Sequence, residues 1–136
     1  MLKIRVAKET VVRTTNEIGR LSGMAKLIAE KGINLLAVTA WVEGAESICR
    51  LLSDDDVRLA DALRANGYLV HQADVLATQM PHTPGMLHRV TEALAQEEID
   101  IHHLYATATD SQDRCLVVLS TANNDRALVL LNALRA

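Results

Sequence analysis

Two short stretches of this 136-residue chain combine residue types that can grip a small charged molecule: Asn16-Glu17-Ile18-Gly19-Arg20-Leu21 and His82-Thr83-Pro84-Gly85-Met86-Leu87. In each, a glycine stands where an apolar-periodic segment, and so a helix, would begin. The first turn of a helix leaves backbone N–H groups unpaired and carries a partial positive charge, which suits a carboxylate or a phosphate. Glycine lets the backbone come close to such a group. Fifteen residues beyond each glycine (19 to 34, 85 to 100) lies a polar residue, Asn34 or Asp100, at the start of a strand-like run. An oxygen there can accept from an ammonium, so turn and strand start together offer both ends of a zwitterion a partner. The same residues also have plainer uses. Gly19 and Gly85 would serve as turn glycines, Asn16 as a helix N-cap, Arg20 as a surface charge, and Asn34 and Asp100 as solvated strand starts.

Other chemistry-bearing residues point nowhere in particular. His102 and His103 are neighbours on a strand and face opposite ways, so they cannot chelate one ion together. His82 and His88 are six apart across a turn and a helix (88 − 82), a poor ligand spacing. Asp54-Asp55-Asp56 reads as a helix cap rather than a cation site. Cys49 and Cys115 sit in the apolar runs SICRLL and RCLVVL, where cysteine packs as a small hydrophobe. No nucleophile elbow, phosphate loop or metal motif occurs, so the chain is not expected to be an enzyme or to carry a cofactor or metal. A net charge of −3, no Phe, and only Trp41, Tyr68 and Tyr105 as aromatics argue against nucleic acid as a partner. No apolar run approaches the roughly 18 residues of a membrane span. The opening MLKIRVAKET has no signal-peptide core, so the chain is expected to stay in the cytoplasm, where a disulfide is disfavoured.

The elements that would hold the two turns come from a repeat. An offset of 66 relates Gly19 to Gly85, Leu21 to Leu87, Ala29 to Ala95, Ile33 to Ile99, Ala40 to Ala106 and Cys49 to Cys115. Self-similarity over this length means two copies of one supersecondary unit. The copies are residues 1–72 and 73–136. The first reads as strand Glu9–Thr14, a helix from Arg20 with Leu21, Met24, Ala25, Leu27 and Ile28 as its stripe, and strand Ile33–Val42. A Glu43-Gly44 turn and strand Glu46–Leu52 follow. A second helix is capped within Ser53–Asp56, with Val57, Leu59, Ala60 and Leu63 inward, and strand Tyr68–Gln72 closes the copy. The second copy runs through strand Asp74–Met80, a helix with Leu87, Val90, Ala93 and Leu94, and strand Ile99–Thr109. Turn Asp110–Asp113, strand Arg114–Ser120 and a helix capped within Asn123–Asp125 complete it. The order is βαββαβ, the ferredoxin-like split βαβ unit of the α+β class. The second copy lacks its fourth strand. Leu2–Val6, which the offset aligns with Tyr68 onward, is expected to complete it, since an open slot would leave an edge liability.

The pattern resembles the ACT domain, the regulatory module that binds amino acids in many biosynthetic enzymes. The resemblance rests on Asn16 three before Gly19, the aliphatic helix Leu21–Ile28, Gly32-Ile33-Asn34, the stretches Thr83–Leu87 and Glu98–Ile101, and the element order. The Asn…Gly…Asn arrangement of the first copy is similar to the serine site of phosphoglycerate dehydrogenase's regulatory domain. Ile18 stands where the family usually has proline, and the second copy has His82 and Asp100 in place of Asn. The resemblance implies two units side by side, an eight-stranded antiparallel sheet with four helices on one face, and a ligand at the seam between the turn of one unit and the second strand of its neighbour. The residues it carries over are Asn16, Ile18, Gly19, Arg20, Leu21 and Asn34, with His82, Pro84, Gly85, Met86, Leu87 and Asp100. Their aliphatic members imply a small apolar amino acid, such as a branched-chain one. The implied function is a non-catalytic sensor, as a homodimer, that modulates a metabolic enzyme or transporter. The alternative is a ligand-independent regulatory subunit or interaction module of an amino-acid biosynthetic enzyme.

Overall fold

No Gly, Pro or Asn interrupts Lys3–Thr15, and the segment runs as a single strand of 13 residues, β1. The computed structural model describes residues 2–108 and 113–134. After β1 come α1 (Arg20–Glu30), β2 (Leu35–Glu43), β3 (Glu46–Ser53), α2 (Asp56–Ala65), β4 (Leu69–Pro81), α3 (Met86–Gln96), β5 (Ile101–Ala108), β6 (Arg114–Thr121) and α4 (Asn124–Asn132). Thr109 and most of the turn expected at Asp110–Asp113 lie outside the described residues. β4 is also a 13-residue strand, unbroken where two strands in succession were expected.

The strands hydrogen-bond in the order β2-β3-β1-β4-β6-β5, which corrects the expected eight strands to six. The physical reason lies in β1 and β4: each is long enough to serve two units, so two strands fill four places. By its contacts the chain divides into two compact units, Lys8–Ala73 and Met1–Ala7 with Asp74–Ala136.

In the unit Lys8–Ala73, β3 lies between β2 and β1, antiparallel to both. Val12, Cys49 and Leu51 of the strands meet Met24 and Ile28 of α1 and Leu59 and Leu63 of α2 in one core. α2 begins at an Asp55 cap, whose carboxylate accepts from the Arg58 N–H at 3.1 Å. The neighbouring Asp54 carboxylate instead accepts from the Asn34 N–H at 3.0 Å. Val57, expected in the α2 stripe, is exposed. At 100° per residue it points away from Leu59, Ala60 and Leu63, so the buried row begins after it.

The other unit is built around the two chain ends. Leu2 and Ile4 are buried with Leu76, Met80, Leu94, Leu119 and Leu131. The Leu2 N–H donates to the Leu134 carbonyl at 3.2 Å and the Ile4 N–H to Asn132 Oδ1 at 2.9 Å. The Thr78 hydroxyl donates to the Lys3 carbonyl at 2.8 Å, tying β1 to β4 within this unit. β6 runs antiparallel to both β4 and β5. α4 is capped by Asn123, whose side chain accepts from the Arg126 N–H at 3.1 Å.

The repeat holds at an offset of 66 from β1 to β4 (69 − 3, 81 − 15) and from α1 to α3 (86 − 20, 96 − 30). From β3 to β6 it becomes 68 (114 − 46, 121 − 53), so the second copy carries two more residues in its hairpin. The match of Cys49 with Cys115 is therefore a coincidence of spacing. Val12 pairs with Cys49 while its counterpart Thr78 pairs with Val117, and Met80 pairs with Cys115 while its counterpart Thr14 pairs with Ser47. In space, Cys115 corresponds to Ser47.

Candidate functional site: the two glycine turns

Both turns have the same backbone. Gly19 and Gly85 each hold φ at +88°, the left-handed region, and each stands immediately before its helix as the N-cap residue. The preceding carbonyls of Glu17 and Thr83 accept from the N–H groups of Arg20 and Met86 at 3.2 and 3.3 Å. The helical ladder then starts with Gly23 N–H to the Gly19 carbonyl (2.9 Å) and Arg89 N–H to the Gly85 carbonyl (3.0 Å). The N–H groups of the second and third helical residues, Leu21 and Ser22 or Leu87 and His88, thus have no helical carbonyl of their own. No side chain caps either helix, so the N-cap role for Asn16 is not realised. Instead the Asn16 N–H donates to the Ala45 carbonyl at 2.9 Å, and the His82 N–H to the Asp113 carbonyl at 2.6 Å. Each turn is thereby fastened to the β2–β3 or β5–β6 end of its unit.

That placement separates the two halves of the expected site within a unit. Asn34 follows α1 and the Gly19 turn precedes it, so the 11 helical residues of α1, about 17 Å, lie between Asn34 and the Gly19 turn. Asp100 precedes β5, and its carbonyl accepts from the Ala122 N–H at 2.9 Å, at the end of the unit away from the Gly85 turn. No single unit brings its own turn and its own strand-start side chain onto one small ligand. Asp100 is exposed, with His102 Nε2 4.0 Å from its carboxylate. His103 stacks on Tyr105 with ring centroids 6.3 Å apart.

The side chains at the two turns differ. In the second, a cleft of about 320 Å³ opens beside α3, lined by Met80, Pro81, His82, Thr83, Gly85, Met86, Leu87, Ala106, Thr107, Ala108, Cys115 and Val117. Met86 is buried, whereas Leu87 stands half-exposed at its rim. Of the expected residues the cleft gathers His82, Gly85, Met86 and Leu87, and it leaves out Pro84 and Asp100. Met80 and Cys115, cross-strand partners on β4 and β6, are lining residues that sequence reasoning missed. Their signal was present in the alternation of ATQM and RCLV, but the two-residue hairpin insertion hid which positions face each other.

In the first turn, the Arg20 guanidinium is held at home. Its Nη2 lies 3.1 Å from Glu17 Oε2 and donates to the Thr15 hydroxyl at 3.1 Å. That hydroxyl in turn donates to Glu17 Oε1 at 3.2 Å. Ile18 is fully exposed, and Leu21 half-exposed. Cys49, deep in the core of this unit, has its thiol pushed up to about 11 by burial. Among the described residues, no group of three His, Cys, Asp or Glu could hold a metal ion, and no helix is long and apolar enough to cross a membrane.

A family model described as an ACT domain pair matches residues 6–135. A crystal structure of a Bacteroides thetaiotaomicron protein superimposes with a TM-score of 0.88 at 28% identity, covering 95% of this chain and 88% of that one. The ligand-free regulatory subunit of aspartate kinase from Thermus thermophilus gives 0.69 at 17% identity, over 96% of this chain and 94% of that chain. The corresponding subunit from Thermus flavus gives 0.64 at 17%, over 97% and 93%. No curated protein matches the sequence significantly.

Proposed function

This chain belongs to the ACT domain pair family, and from that premise we propose that it is a non-catalytic regulatory protein that binds a small apolar amino acid at its glycine turns. Binding would stabilise one arrangement of the protein and so modulate a metabolic enzyme or transporter, as a linkage effect between two sites. The observation that carries this reading is the cleft at the Gly85 turn. Its wall of Met80, Met86, Leu87 and Val117 suits an aliphatic side chain, and the unpaired N–H groups of α3's first turn suit a carboxylate. The proposed contacts are those of the family pattern, Asn16, Ile18, Gly19, Arg20, Leu21 and Asn34, with His82, Pro84, Gly85, Met86, Leu87 and Asp100. Asn34 and Asp100 can serve only a ligand held by a turn of a different unit, and a homodimer in the cytoplasm is the assembly we propose to supply one.

A thermal-shift screen and calorimetry against the twenty amino acids at millimolar concentration test the reading. Stabilisation by one or a few apolar members is expected, with a ligand at one hundred times its Kd adding about 2.7 kcal/mol. No response to any of them overturns it.

The second reading, a ligand-independent regulatory subunit, draws support from the shared fold of the Thermus aspartate kinase regulatory subunits. It predicts that a Gly85→Leu variant still engages its partner enzyme, with no amino-acid dependence before or after the change.

A further inference from the structure

The two turns share one backbone and differ in what fills them. Position by position, β1 and α1 map onto β4 and α3 at an offset of 66, so Thr15, Glu17 and Arg20 stand where the second copy has Pro81, Thr83 and Met86. In the first copy these three side chains form a closed set: Arg20 to Glu17 at 3.1 Å, Arg20 to Thr15 at 3.1 Å, and Thr15 to Glu17 at 3.2 Å. In the second copy none of the three can make such a set, and all three line the cleft. The β-strand positions follow the same division. Met80 and Cys115 face the cleft, whereas their spatial counterparts on β1 and β3 are Thr14 and Ser47.

We propose that the repeats have divided their work, so that the chain takes one amino acid, at the Gly85 turn, while the Gly19 turn is filled by its own side chains. The division rests on the amino-acid-binding reading above and says which half performs it. Three physical differences favour the second turn. An incoming carboxylate at the first turn meets the Glu17 carboxylate, and like charges at such range repel. The Arg20 guanidinium that would offset that repulsion already has its Nη2 engaged by Glu17 and Thr15, and its Nε is buried. An apolar ligand side chain finds polar Thr14, Thr15 and Ser47 at the first turn, but Met80, Met86 and Cys115 at the second. Methionine and cysteine side chains are soft and adaptable, and three of them in one cleft suit an aliphatic or thioether side chain. The ligand class is therefore an apolar amino acid of the leucine, isoleucine, valine or methionine kind, one molecule per chain.

The test is calorimetry of the full chain with L-leucine, L-isoleucine, L-valine and L-methionine, on the wild type and two surface variants. One equivalent per chain is expected for the wild type. Thr83→Glu, which gives the second turn the first turn's carboxylate at an exposed position, is expected to weaken binding at least tenfold. Its thermal unfolding should be unchanged, since an acidic residue before a helix is well placed. Glu17→Gln, which opens the internal set of the first turn, is expected to leave the affinity of the second turn as it was. Two equivalents per wild-type chain, or loss of binding in Glu17→Gln with retention in Thr83→Glu, overturns the division and leaves the regulatory reading standing. No heat from the wild type with any of the twenty amino acids overturns the regulatory reading itself and the division with it.

Discussion

At the scale of single residues, the chain separates groups made to be reached from groups made to be inert. Cys49 and Cys115 look alike in sequence, each in an apolar strand. Cys49 is buried in the core, with its thiol held up at about 11 against an ordinary 9.0, whereas Cys115 is half-buried on the wall of an open cleft. Iodoacetamide at pH 8 is therefore expected to label Cys115 in the native protein and to spare Cys49 until unfolding, which mass spectrometry of the labelled chain reads directly. The sign of the linkage follows from a folded value above the unfolded one. Cys49's stabilising contribution is complete below about pH 9.0 and is lost as the pH rises toward about 11. Unfolding in denaturant at a series of pH values should show that slope, and Cys49→Ala should flatten it. At this scale the glycine turns were legible, because a left-handed residue before a helix nearly demands glycine. The fate of Arg20 was not, because what holds it depends on how Thr15 leaves the end of β1 and how Glu17 folds back over the turn. Spacing alone is silent on both.

At the scale of elements, helix starts were the most readable features and strand ends the least. Asp55 and Asn123 cap α2 and α4 as their residue types suggest, each accepting from an N–H three residues on at 3.1 Å. Asp55→Ala and Asn123→Ala are each expected to cost about 1 kcal/mol, measured by chemical denaturation. The residue types of β1 and β4 announced extended chain but not that each would continue as one strand. The charged residues Lys8, Glu9 and Asp74 look like a junction between two short strands. Glu9 nonetheless lies buried, with its carboxylate 2.6 Å from the Arg50 guanidinium. A buried partner for a charge is a property of the folded neighbourhood, and without it the continuous strand cannot be read from the residues. The same blindness produced the count of eight strands where the described residues form six. The strand starts Asn34 and Asp100 were correctly placed in sequence, yet β2 and β5 carry them to the ends of their units away from the glycine turns.

At the scale of the molecule, each compact unit draws part of its sheet from a strand that leaves it. Residues 3–7 of β1 belong with Asp74–Ala136, so Leu2 and Ile4 are core residues of a unit assembled from both chain ends. Ile4→Ala is expected to cost about 2–4 kcal/mol, the usual toll of a buried Ile or Leu truncation. Amide hydrogen exchange across Leu2–Val6 should be as slow as in β6, and fast exchange there would contradict the shared strand. This arrangement also sets an order of assembly during synthesis. Lys8–Ala73 has every residue it needs once Ala73 has been made, and it can close while the rest of the chain is still being translated. Leu2–Ala7, made before the rest of their own unit, must wait for α4 before Asn132 can accept from the Ile4 N–H. A segment made early is thus late to find its place, and the loop it closes, 128 residues from Ile4 to Asn132, is a slow kind of contact to make.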